Sequence, residues 1–192
     1  MSIVKLKNPK TSLYYNLKKT ILHPHFSWHY MGESTPSSNS MLEEYVNESK
    51  RYTKEGVKII NPAMYVHSVL GRSTRMMIYP LVESEHIKDI NEMYCELFNN
   101  NINIMQSFHM MCRCSVNAVE PSQETDVISI PHVDHEYPHK NIIIYLTDAG
   151  GSTFVEGEEF APEEDDVIMF EGLHWHKLPR KERRVVLVMT YI

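Results

Sequence analysis

The chain has 192 residues, a formal charge of −6 and 42% hydrophobic residues, enough for one domain with a real core. Its acidic balance weighs against a nucleic-acid backbone as partner, and no run approaches the roughly 20 apolar residues of a membrane span. The N-terminal MSIVKLKNPKTSLYY has no apolar segment of the secretory kind, and Cys95, Cys112 and Cys114 are odd in number and lack framework spacing; free thiols in the cytoplasm are expected.

The first element in chain order is TSLYYNLKKTIL, residues 11–22. Leu13, Leu17 and Ile21 recur at i, i+4 and i+8 behind a Thr/Ser cap, and Pro24 follows, so an amphipathic helix is expected. HPHFSWHYMGESTPSSNS reads as a loop, aromatic at first and then Ser/Pro-rich. MLEEYVNESKRYTKEGVKII is polar and assigns no element. ESEHIKDINEMYCELFNN, 83–100, puts Ile87, Ile90, Met93 and Leu97 on one stripe, which predicts a helix capped near Ser84.

Beyond Asn103 the pattern becomes β-rich: MQSFHMMCRCSVNAV, DVISIPHVDH, NIIIYL, GSTFVE, DVIMFEG and RVVLVMTYI, with turn chemistry at EPSQET, TDAGGS and APEED. Short strands so closely spaced point to an antiparallel sandwich or barrel. The Ile/Val runs are apolar on both faces and need cover on the second side, which N-terminal helices would supply. The expectation is a single domain, 1–192, mainly β with N-terminal helices, in which a mostly helical 1–104 supports a β core at 105–192.

Five of the eleven histidines fall between His132 and His176. In HVD, period-two alternation sends His132 and Asp134 to one face. FEGLHWHKLP adds His174 and His176, again on a common face. Two imidazoles and one carboxylate fill one face of an octahedron and leave three adjacent positions, the arrangement that suits non-haem Fe(II); Zn(II) on the same donors would keep one water position. Downstream, Arg184 enters an apolar strand, where a guanidinium is costly unless it meets an anion. Tyr145, ending NIIIYL, is placed to add a hydrogen bond to that anion. A dicarboxylate such as 2-oxoglutarate satisfies both ends.

The ordered set His132, Asp134, His176 and Arg184, with Tyr145 before leucine in the strand between, resembles the Fe(II)- and 2-oxoglutarate-dependent dioxygenases. Within them it is similar to the small prolyl-4-hydroxylase-like branch of bacteria and phages. MCRCSVN, with Arg113 and Asn117, and the FEG turn resemble further parts of that branch. The resemblance covers about 105–192. It implies a double-stranded β-helix of jelly-roll or cupin-like type. His132, Asp134 and His176 would then be catalytic metal ligands, with Arg184 and Tyr145 on the co-substrate. Fe(II), 2-oxoglutarate and O2 are the implied cofactors. The implied reaction hydroxylates an unactivated C–H bond, releasing succinate and CO2, with a prolyl residue of a peptide or protein as the expected substrate. In the HWH doublet, His176 fits the distance from FEG, while His174 gives the ten-residue spacing to the arginine; His176 is preferred. Arg183 is the rival to Arg184.

The same ligands also suit a zinc hydrolase or a cupin-like isomerase, and a barrel without catalysis would be a binding module. His135 and Glu136 read as solvated neighbours of the motif, His139 as a surface residue, and EGEEFAPEEDD as a solvated acidic turn. Asn141 shares the inward face with Ile143 and Tyr145.

Overall fold

The computed structural model describes residues 3–35, 42–72 and 80–192. Its first part holds β1 (Val4–Leu6), α1 (Ser12–Ile21), β2 (His29–Met31), α2 (Leu42–Ser49), β3 (Lys58–Ile60), β4 (Met64–Arg72), β5 (Pro80–Glu83), α3 (Ile87–Asn100) and α4 (Ile102–Met105). The second part holds β6 (Met111–Val119), β7 (Val127–Ser129), β8 (Lys140–Tyr145), β9 (Thr153–Val155), β10 (Glu158–Phe160), β11 (Val167–Phe170), β12 (His174–His176) and β13 (Arg184–Tyr191).

α1 starts where Thr11 accepts a hydrogen bond from the Tyr14 amide, and it buries Tyr14, Leu17 and Ile21. α3 buries Ile90, Met93, Tyr94, Leu97 and Phe98. Ser84 does accept from the His86 amide, but the helix itself begins at Ile87. Both helices lie on one face of an eight-stranded sheet of order β1-β11-β8-β13-β6-β4-β2, with β5 paired to β4. Alternation along the central strands explains their doubly apolar character. Ile142, Ile144, Val185, Leu187 and Met189 pack under the helices, whereas Ile143, Tyr145, Val186 and Val188 face the other way with Val155 and Phe170.

That second face is roofed by smaller strands, β10-β9-β12 and the parallel pair β3-β7. Isolated antiparallel bridges at Ile128–Lys177 and His132–His174 join the β7 side to the β12 side. The result is a mainly β, jelly-roll-like core flanked by helices.

The first hundred residues depart from the expected helical support. β4 pairs with β6 over most of its length and β2 extends the sheet beyond it. A register shift between Ser68 and Leu70 breaks the alternation in β4, which hides the strand from a period-two reading. α2 forms inside the polar stretch that assigned no element. β2 interrupts the expected loop after α1, and residues 36–40 of that loop lie outside the described residues. The acidic turn contains the edge strand β10, where Glu158 accepts from the Ile3 amide at 2.9 Å.

Candidate metal centre

The bridge between His132 and His174 is the geometric origin of the site. His132 N–H donates to His174 O at 2.9 Å and His174 N–H returns to His132 O at 3.0 Å, so the two imidazoles lie side by side with ring centroids 4.4 Å apart. Asp134 stands two residues along. One donor atom from each of His132, Asp134 and His174 lies within 4.8 Å of the others.

Each imidazole is pinned from behind. His132 Nδ1–H donates to Ile130 O at 3.0 Å and His174 Nδ1–H to Gly172 O at 3.1 Å. Carbonyls only accept, so Nδ1 carries a proton in each ring, and in the neutral ring the lone pair then falls on Nε2, the tautomer that binds metals. Gly172 takes φ +90° in the FEG turn, a left-handed conformation that suits glycine. Asp134 divides its oxygens: Oδ1 is held by Arg113, and Oδ2 lies 3.6 Å from His174 Nε2. Burial opposes ionisation of Asp134, but the Arg113 guanidinium and the two imidazoles outweigh it and hold the carboxyl far below the usual range. Burial, reinforced by His132, pushes His174 down to about 3. A neutral His174, an ionised Asp134 and Nδ1–H groups fixed by backbone carbonyls are donor states that a divalent ion requires.

The sequence preference for His176 as third donor is not what the structure brings together. His176 shares a face with His174 but pairs across the small sheet with Thr153. Its amide donates to Ser129 Oγ at 2.9 Å, and its Nδ1 lies 2.9 Å from Thr153 Oγ1. The cross-strand bridge falls at His174, so His174 lies against His132 while the His176 ring centroid is 6.3 Å away. Among the described residues it is therefore His174 whose donor atom lies within reach of those of His132 and Asp134, and it also stands ten residues before Arg184.

Behind the triad runs a cavity of about 750 Å³ whose wall includes Asp134, His176, Tyr145, Arg184, Ile143 and Val188. Arg184 is 6% exposed, and its Nη1 donates to Lys177 O at 3.0 Å and Gly151 O at 3.5 Å. No carboxylate among the described residues pairs with it, and burial lowers its pKa. Gly151 keeps this corner tight: φ is +86°, and a Cβ there would stand 2.5 Å from Lys177 O. Tyr145 Oη, Thr153 Oγ1 and His176 Nδ1 form a chain with steps of 2.6 and 2.9 Å. Burial raises Tyr145 to about 12, against the opposing influence of Thr153 and Arg184. Arg183 points elsewhere, pairing with Glu120 and covering the Tyr65 ring at 5.2 Å.

Other singled-out residues fall around the same space. Arg113 and Asn117 line the cavity from β6. His135 is partly buried with Nε2 2.7 Å from Thr190 Oγ1, and burial, then Arg113, pushes it down to about 4. His139, expected at the surface, is buried. Asn141 is fully buried, and neither amide atom has a partner. Thr153 went unnoticed in the sequence; its signal was a hydroxyl two residues from Val155 in GSTFVE, on the inward face of a strand.

No protein-family model matches the chain, and no curated protein matches it. Solved structures do. The chain is similar to an oxidoreductase of the 2OG-Fe(II) oxygenase family from Burkholderia pseudomallei, at 15% identity and TM-score 0.54, over 96% of this chain and 92% of that one. Similarity extends to a prolyl hydroxylase from Trichoplax adhaerens in complex with a hypoxia-inducible-factor peptide, at 11% identity and TM-score 0.45 over 96% and 94% of the two chains. It extends also to a Pseudomonas putida prolyl-4-hydroxylase, at 12% identity and TM-score 0.40 over 93% and 97%. The first likeness establishes the fold, the one on which that oxygenase is built.

Proposed function

We propose that the chain is a dioxygenase that uses Fe(II) and 2-oxoglutarate to hydroxylate an unactivated C–H bond, with a prolyl residue of a peptide or protein as first substrate. One juxtaposition carries the reading. Two pinned imidazoles and an ionised carboxylate converge, His132 and Asp134 in the wall of a cavity, and a buried guanidinium without a carboxylate partner among the described residues lines the same cavity. Fe(II) at that centre, with 2-oxoglutarate and O2, supplies the oxidising chemistry that puts oxygen into the substrate and yields succinate and CO2.

The chain's own residues bind and orient. His132, Asp134 and His174 offer three donors to one face of an ion and leave the rest open. Arg113 draws one oxygen of Asp134 aside, so the other is presented singly. Arg184 meets the far carboxylate of the co-substrate with charge-assisted hydrogen bonds. Tyr145 joins it by turning its O–H away from Thr153; the Thr153 hydroxyl then donates to Tyr145 Oη and accepts from His176 Nδ1–H. Ile143, Val186 and Val188 line the space with apolar surface, which keeps water from the reacting groups. Aerobic incubation with Fe(II) and 2-oxoglutarate tests the proposal. Succinate forms with the wild type, faster with a prolyl peptide, and not with Asp134→Ala; equal succinate from that variant overturns the reading.

A further inference from the structure

His176, standing apart from the metal triad, lines the cavity together with Tyr145 and Arg184. Its Nδ1 lies 2.9 Å from Thr153 Oγ1, and its Nε2 has no hydrogen-bond partner among the described residues, so nothing in them fixes the tautomer from that side. Thr153 is fully buried, and its hydroxyl has two partners, His176 Nδ1 and Tyr145 Oη, the latter at 2.6 Å. A hydroxyl carries one hydrogen. Thr153 therefore donates to one neighbour and accepts from the other. Two lone pairs facing each other at these distances repel, and donation from both sides would strand the buried Thr153 hydrogen without an acceptor.

Burial, then the Arg184 charge, holds the His176 ring well below its usual range and so neutral, with a single N–H. Three hydrogens thus serve two links, and the third emerges at one end of the chain. In one state Thr153 donates to His176 Nδ1, Tyr145 O–H turns inward, and the outer hydrogen sits on His176 Nε2. In the other, His176 Nδ1–H donates to Thr153, Thr153 donates to Tyr145 Oη, and Tyr145 O–H is released to the cavity. The two ends cannot donate outward together. Arg184 acts electrostatically on both, so an anion that pairs with it chooses between them. A phenol is the stronger donor of the two, compared with a neutral imidazole N–H, so the anion selects the second state.

We propose that His176 is a positioning residue for the co-substrate: its Nδ1–H, relayed through Thr153, turns the Tyr145 hydroxyl towards the far carboxylate of 2-oxoglutarate. The inference rests on the oxygenase reading of the cavity. It divides the HWH doublet, with a lone pair of His174 for the metal and a hydrogen of His176 for the opposite end of the co-substrate.

Calorimetric titration of the zinc-loaded full chain with 2-oxoglutarate tests this. His176→Phe weakens binding about fivefold, the scale of one hydrogen bond, and leaves zinc affinity as it was. His176→Asn, whose carboxamide nitrogen takes the place of Nδ1, stays within about twofold of the wild type. In a Tyr145→Phe background the His176→Phe change costs nothing more, because the hydroxyl it directs is gone. Nitrogen NMR of the histidine-labelled, zinc-loaded chain with 2-oxoglutarate bound places the His176 proton on Nδ1. A proton on Nε2 in that state, a loss in His176→Asn equal to that in His176→Phe, or an undiminished loss in the Tyr145→Phe background overturns the proposal. So does a fall in zinc affinity in His176→Phe. 2-Oxoglutarate binding that ignores His176 removes the relay alone, whereas no binding by the zinc-loaded wild type removes the oxygenase reading and the relay with it.

Discussion

Asp134 and Arg184 line one cavity, yet their charges are met in opposite ways. Asp134 has Arg113 on one oxygen and two imidazoles near the other, so its ionisation is secured within the chain. Arg184 is as deeply buried but meets only backbone carbonyls and the neighbourhood of Tyr145. A buried charge answered by neutral dipoles alone destabilises the fold. On the proposed reading the difference teaches which part of the cavity would hold a cation and which would receive an anion.

The sharpest way to break the comparison is to delete the secured charge. Asp134→Ala removes one of three donors and leaves the partly exposed Arg113 without its partner. Cobalt(II) affinity, measured by titration, falls well beyond the roughly 10- to 100-fold seen for outer ligand-shell changes, and activity is abolished. Retained cobalt affinity would contradict the triad. Next in size is Arg184→Met. 2-Oxoglutarate affinity falls by about 100-fold, as expected when one partner of a buried charge pair is missing. The thermal midpoint of the free protein holds or rises, because an uncompensated cation has left the core. A lower midpoint with unchanged affinity would give Arg184 a structural role instead.

Thr153→Val sharpens the comparison further. It preserves shape but leaves Tyr145 Oη and His176 Nδ1 without their link, at a cost of about 1–3 kcal/mol in stability. Metal affinity stays, and 2-oxoglutarate binding weakens several-fold because Tyr145 loses its fixed orientation; a loss of metal affinity instead would mean that the chain supports the triad. The smallest effect is on acid stability. His174 has a folded pKa near 3 against an ordinary 6.5, so the unfolded chain takes up its proton first. The corresponding stability is full above about pH 6.5 and is lost as pH falls towards 3. Thermal midpoints of the metal-free protein should decline through that window, and His174→Gln should flatten the decline.

Much of this was legible in the sequence because it depends on alternation. NIIIYL and RVVLVMTYI declared strands buried on both faces, and the parity of Ile143, Tyr145, Val186 and Val188 put them on one inner wall. The amphipathic stripes of α1 and α3 were equally plain. Parity failed where two candidates shared it. His174 and His176 point the same way, and only the bridge to His132, a contact 42 residues away in sequence, separates them. Arg113 against Asp134 and Thr153 against Tyr145 are likewise products of register between distant strands. β4 escaped because its bulge interrupts the period, and His139 because a histidine in a proline-flanked loop carries no sign that the loop folds inward.

The central claim is that His174, not His176, completes the metal centre opposite the arginine. Anaerobic addition of Fe(II) and 2-oxoglutarate, followed by visible absorption, tests it most directly. A weak charge-transfer band appears with the wild type and with His176→Ala, and is absent from His174→Ala. A band that survives in His174→Ala and vanishes in His176→Ala would contradict the account.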